Sequence, residues 1–209
     1  AGSESFVVDG KLVYNAFYDQ YFDAESLNPY TPSAEIWPSV MPASYQDEIK
    51  SELQVFIDLM GIKTGLFNVD CRVCTDGKPY LMEVSPRAGG NRLAEILNYA
   101  ADVNIIEQET RKALGLPLGE IHEPVYKGHF AIVVLHSEKE GVFDSISIEE
   151  NFRETHVLEE EIRVRKGEKI TGFSGANASI GTLFLRFDSR SSLDKALANQ
   201  KKWLFLNVI

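Results

Sequence analysis

The chain has 209 residues, 44% of them hydrophobic and 25% charged, with a formal net charge of −10. That hydrophobic share supports a packed core and excludes a disordered chain. An acidic chain without a basic cluster is a poor binder of nucleic acid or of an anionic membrane, and neither a membrane span nor a signal peptide is expected from its apolar runs.

The first expected element is a β-hairpin over 5–15, turning at Asp9-Gly10, a pair that tolerates positive φ. Residues 17–42 follow, rich in aromatics and interrupted by Pro29, Pro32, Pro38 and Pro42. Prolines at that density preclude a long helix. The segment reads as an ordered loop packed by Tyr18, Tyr21, Phe22 and Trp37, with part of it lining a substrate pocket as the sharper alternative. A helix is expected over 44–60. Ser44 and Asp47 have the form of a capping box, Ile49, Leu53, Phe56 and Met60 make an apolar stripe, and Gly61 is a natural stop.

The most informative stretch is 65–91, GLFNVDCRVCTDGKPYLMEVSPRAGGN. It reads as a strand, a turn at Asp76-Gly77, a second strand and a glycine-rich approach to a helix. Side chains alternate along a strand, so Asn68, Asp70 and Arg72 share one face, and Leu81, Glu83 and Ser85 share another. If the two faces coincide, Asp70 and Glu83 are acidic neighbours that repel. A divalent cation resolves such a conflict. Mg²⁺ takes hard oxygen ligands, commonly one or two carboxylates plus phosphate oxygens and water, and Ser85 adds a hydroxyl. Arg87 offers a planar cationic fork suited to phosphate. A solvated hairpin explains any one of these residues, but explains the set less well, given the interleaved apolar Val69, Tyr80, Met82 and Val84. Cys71 and Cys74, the two cysteines, are spaced i, i+3 on the strand and so face opposite ways. They read as reduced structural residues in a cytoplasmic setting.

Gly89, Gly90 and Asn91 lead into a helix through Leu93, Ile96, Leu97 and Tyr99, and a helix N-terminus attracts anions. A second helix has Asn104 and Glu107 as a cap pair and Gly115 as its stop. Residues 116–127 read as a linker. Strands are then expected over 128–136, 142–148, 155–164 and 179–187, with a helix over 191–201 and a last strand over 204–208. The acidic run 159–161 reads as a solvated sheet edge. His129 and His136 face opposite ways and are not expected to share a metal.

The stretch FNVD…DGKPYLMEVSPRAGGN resembles the C-terminal part of an ATP-grasp domain, and is most similar to the carboxylate–amine ligases related to carbamoyl-phosphate synthase and the L-amino-acid ligases. The thirteen-residue step from Asp70 to Glu83 also fits the D-alanine–D-alanine ligase branch. On this resemblance Asp70, Glu83 and Arg87 occupy the family's acidic, glutamate and arginine positions, and Ser85 stands where Asn is usual. The likeness covers roughly 6–115. It implies an α+β fold: 1–115 as the C-terminal lobe of the ATP-grasp domain, an antiparallel sheet backed by helices, then the 116–127 linker, then a small α+β subdomain over 128–209. It implies Asp70, Glu83 and Ser85 as ligands of Mg²⁺ (or Mn²⁺), and Arg87, Gly89, Gly90 and Asn91 as contacts to ATP phosphates or substrate, with Arg87 catalytic. The implied reaction joins a small carboxylate to an amine through an acyl phosphate. The family's small lobe, with its phosphate-contacting Lys, has no counterpart in this sequence. The chain is therefore expected to be part of a longer ligase and inactive alone, with self-association into a homo-oligomer through an uncovered edge. The alternative is a non-catalytic regulatory or assembly module, or one subunit of a split ligase.

Overall fold

The computed structural model describes residues 1–209. In chain order the elements are β1 (Gly2–Val8), β2 (Lys11–Tyr21), β3 (Ala34–Trp37), α1 (Ala43–Met60), β4 (Gly65–Val73), β5 (Pro79–Ser85), α2 (Leu93–Ala101) and α3 (Ile105–Ala113). They continue with β6 (His129–Leu135), β7 (Gly141–Ile148), α4 (Glu150–His156), β8 (Val157–Ile162), β9 (Lys169–Ile170), β10 (Gly181–Phe187), α5 (Arg190–Ala198) and β11 (Leu204–Val208). The architecture is α+β, in two compact units. One comprises 1–19 and 37–127, the other 20–36 and 128–209. No helix is long and apolar enough to cross a membrane.

In the first unit the strands run β5-β4-β1-β2, each antiparallel to its neighbour. Asp9 and Gly10 turn the first hairpin with φ of 48° and 81°, and Gly77 turns the second with φ of 77°. These are conformations that Asp-Gly pairs adopt at low cost. Helix α1 covers one face of this sheet: Leu53 and Ile57 pack on Val7, Phe67 and Val69, and Ile49 packs with Phe17 and Cys71. Burial raises the Cys71 thiol to about 11, so it is inert. Gly61 closes α1 with φ of 64°, its N–H bonded to the carbonyls of Ile57 and Asp58. The expected capping box at Ser44 is absent. Pro42 is the N-cap, and no side chain caps this helix. In α3 the cap does form, with Asn104 Oδ1 accepting from Glu107 N–H at 3.0 Å.

The second unit places β3-β6-β10-β8 side by side, together with a separate sheet β11-β7-β9. Its core gathers Val133, Leu135, Leu183, Leu185, Leu193 and Trp203. Phe152 stacks on Trp203 at a centroid distance of 4.1 Å.

Three departures from the sequence reading have simple causes. Residues 17–42 are not all loop: β2 continues to Tyr21, and β3 forms at 34–37 with all four residues buried. A strand buried on both faces shows no alternation to read. The start of the strand expected over 155–164 belongs to α4, which Glu149 caps by accepting from Asn151 and Phe152 N–H. And β5 carries a bulge opposite Asp70/Cys71, so Leu81 pairs with Cys71 while Glu83 pairs with Asp70. The extra residue, Met82, switches parity, and Leu81 turns to the α1 side among Val7, Leu53 and Val69 instead of sharing the face of Glu83.

Candidate functional site

The face of the first unit's sheet opposite α1 is polar where β5, β4 and β1 adjoin. Register puts Asp70 directly across from Glu83, and Asn68 across from Ser85. On the other side of β4, Gly2 pairs with Asp70 and Glu4 with Asn68. Alternation therefore brings Glu4, Asn68, Asp70, Glu83 and Ser85 onto one surface.

Each group has a distinct electrostatic setting. Asp70 is half-buried, and its carboxyl is raised above the ordinary value, first by desolvation. The α-ammonium of Ala1 lowers it, Glu83 raises it by repulsion, and Arg87 lowers it. Glu83 is exposed and accepts a 2.6 Å hydrogen bond from Ser85 Oγ at Oε1. Arg87 is exposed, with Nη1 donating to the Ala88 carbonyl at 2.8 Å, which leaves most of its donors outward. Neither Asp70 nor Glu83 is closed off by an ion pair with a basic side chain. Two carboxylates and a hydroxyl fall short of an all-protein metal cage. They do suit a hard cation that keeps phosphate oxygens and water in its remaining positions.

Glu4 lies under this surface. Its side chain is fully buried. Oε1 accepts from Asn68 Nδ2 at 2.7 Å and from Gly89 N–H at 3.0 Å. Asn68 Nδ2 also reaches the Tyr18 hydroxyl at 3.1 Å. Desolvation pushes the Glu4 carboxyl up to about 8, against the lowering effects of those two hydrogen bonds and of the Arg87 charge. Glu4 thus ties the floor of the sheet to the loop after β5. The sequence reading places Asn68 on the face of Asp70 without giving it a role, and it does not single out Glu4. The available signal is parity: Glu4 shares a strand face with the apolar Phe6 on β1, which points its carboxylate inward.

The Gly89–Asn91 segment is built otherwise than its composition indicates. Positive φ falls on Asn91 (51°) and Arg92 (67°), not on the glycines. Gly90 has open space around it, whereas a Cβ on Gly89 would lie 2.6 Å from Glu4 Oε1 and 2.4 Å from Leu93 Cδ1. Gly89 is required by close approach, and its N–H is spent on Glu4. Arg92 is held by Glu95 at 2.7 Å and closes the first turn of α2.

No family model matches the chain, and no curated protein sequence matches it. Solved structures do. Phosphoribosylglycinamide synthetase from Anaerococcus prevotii superposes with a TM-score of 0.80 at 16% identity, over 100% of this chain and 53% of that one. L-amino acid ligase from Bacillus licheniformis also gives 0.80, at 20% identity, over 100% of this chain and 51% of that one. The biotin carboxylase domain of 2-oxoglutarate carboxylase from Hydrogenobacter thermophilus, solved with MgADP and bicarbonate, gives 0.68 at 15% identity, over 99% of this chain and 46% of that one. All three are ATP-grasp ligases. This chain has the ATP-grasp fold. It spans about half the length of these structures, and at such identities the likeness is one of fold. The ATP-grasp likeness takes in the second unit as well as the first; in sequence the close resemblance covers roughly 6–115, and beyond it only the order of elements resembles the C-terminal subdomain of such ligases. The second unit's strands carry ordinary apolar patterning with no motif by which sequence alone would place them.

Proposed function

We propose that this chain supplies the metal- and phosphate-binding floor of an ATP-dependent carboxylate–amine ligase. The observation that carries the reading is the direct opposition of Asp70 and Glu83 across β4 and β5, with the Arg87 charge acting on the same surface, in a fold shared with ATP-grasp ligases. In the proposed reaction a substrate carboxylate oxygen attacks the γ-phosphorus of ATP and ADP leaves. The amine nitrogen of the second substrate then attacks the acyl carbon, loses a proton, and inorganic phosphate departs.

The roles follow from the chemistry of each group. Asp70 and Glu83, with the Ser85 hydroxyl, would hold Mg²⁺, which when bound supplies charge neutralisation to the phosphates. Arg87 presents its fork to the phosphoryl group and stabilises the charge spread over its equatorial oxygens during transfer. The Gly90 N–H and the Asn91 side chain border the acceptor carboxylate. Gly89 has a different role from the one its sequence position implies: its N–H anchors Glu4 rather than a ligand. Asn68 and Glu4 act through others, fixing the loop that carries Arg87. The full reaction belongs to an enzyme in which this chain makes up part of the ATP-grasp domain. Alone, the chain binds Mg·nucleotide weakly and turns over little.

Calorimetric titration of MgADP into the chain tests this, repeated with EDTA and with Glu83→Gln. The reading requires binding that depends on Mg²⁺ and is lost in the variant. Binding of equal strength in all three titrations would remove the metal role.

A further inference from the structure

On the opposite face of the same sheet, between β2, α1 and the 122–127 segment, lie two adjoining cavities of about 150 and 410 Å³. Both are lined by Asn15, Lys50 and Glu123. Ser5 pairs with Asn15 across β1 and β2, and alternation places both on the α1 side, away from Glu4 and Asp70.

Three features make this more than a hydrated crevice. Asn15 is 4% exposed; its Oδ1 accepts from Ser5 Oγ at 2.9 Å, but Nδ2 is buried with no protein partner. Leaving a buried amide donor unpaired is costly, so its retention beside a cavity points to an acceptor supplied from outside. The Tyr126 hydroxyl, lining the smaller cavity, is likewise buried without a partner. Lys50 and Glu123, of opposite charge, line both cavities without pairing with each other: Lys50 turns to Asp47 at 3.1 Å, and the Glu123 charge acts on Tyr126. The other polar groups here are already used, Gln46 Nε2 on the Met41 carbonyl and Gln54 on Leu12, Gly10 and Asp58.

We propose that this cleft binds a small zwitterion of the amino-acid type. Its carboxylate is received by Lys50 and the Asn15 amide, and its ammonium by Glu123, with the Tyr126 hydroxyl as a further contact. The smaller cavity takes the charged head and the larger one the side chain. This site lies on the other side of the sheet from the phosphate and metal surface and does not depend on the ligase reading.

The test is a ¹H–¹⁵N NMR titration of the full chain with glycine and L-glutamine, against acetate and methylammonium as half-ligands. The expected result is saturable shifts centred on the Asn15 side-chain amide and on the backbone of Leu12, Lys50, Ser51 and Glu123. The half-ligands should bind at least about tenfold more weakly, and Lys50→Met and Glu123→Gln should each weaken glycine binding by about tenfold. Both variants alter side chains at the cleft's mouth, and an unchanged spectrum elsewhere shows that they fold. The proposal is overturned if no saturable shifts appear, if they centre on 68–91 instead, if acetate matches glycine, or if both variants bind glycine as the wild type does.

Discussion

Replacing Glu4 by Gln should flatten part of the pH dependence of stability. The buried carboxyl titrates near 8 in the folded chain against 4.5 as its ordinary value. A pKa raised on folding means that the native state holds a proton the unfolded state has released. Stability from this group is therefore complete below about pH 4.5, declines as pH rises, and is fully lost above about pH 8. At ~1.4 kcal/mol per unit, the decline reaches on the order of 3 kcal/mol by pH 7. Gln keeps an oxygen that accepts from Asn68 and Gly89 but does not titrate. Urea unfolding at intervals from pH 4.5 to 8.5 measures the effect as the difference between variant and wild type. The variant's relative stability should climb by ~1 kcal/mol per pH unit across the middle of that range. Parallel curves for the two proteins would refute the assignment of a buried, proton-holding Glu4.

Asp70→Asn should relieve the cross-strand repulsion with Glu83, leaving stability at pH 7 unchanged or raised by ~0.5 kcal/mol while Mg²⁺-dependent nucleotide binding falls; chemical unfolding and calorimetry read the two effects. Gly89→Ala should lower stability by about 1–3 kcal/mol, because its Cβ displaces Glu4 Oε1 or Leu93, and hydrogen exchange at residue 89 should quicken as the bond to Glu4 is lost. Asn104→Ala should cost ~1 kcal/mol through loss of the α3 cap, read as a lower unfolding midpoint with an unchanged m-value.

The β4–β5 hairpin was legible because several local signals agree: an Asp-Gly turn, alternating apolar residues and polar residues at fixed parity. That was enough to place Asp70 beside Glu83. It was not enough to place Leu81, because a bulge inverts parity with no residue to announce it. Strand β3 went unseen because AEIW is buried throughout and flanked by prolines that mark loops. Glu4 went unseen for another reason. A glutamate near the start of a hairpin reads as a surface residue, and only tertiary structure reveals that Asn68 and Gly89, 64 and 85 positions away, converge on it. The glycine-rich loop reads, by resemblance, as a contact to phosphate or substrate. Part of its glycine content instead serves packing against Glu4.

The central claim is that Asp70, Glu83 and Ser85 form one metal-binding surface for nucleotide phosphates. Paramagnetic relaxation by Mn·ADP tests it most directly, since Mn²⁺ substitutes for Mg²⁺ at oxygen sites and broadens nearby amide resonances even when binding is weak. The account predicts broadening centred on 68–72 and 83–88 that disappears in Glu83→Gln. Broadening centred elsewhere, or unchanged in that variant, would contradict it.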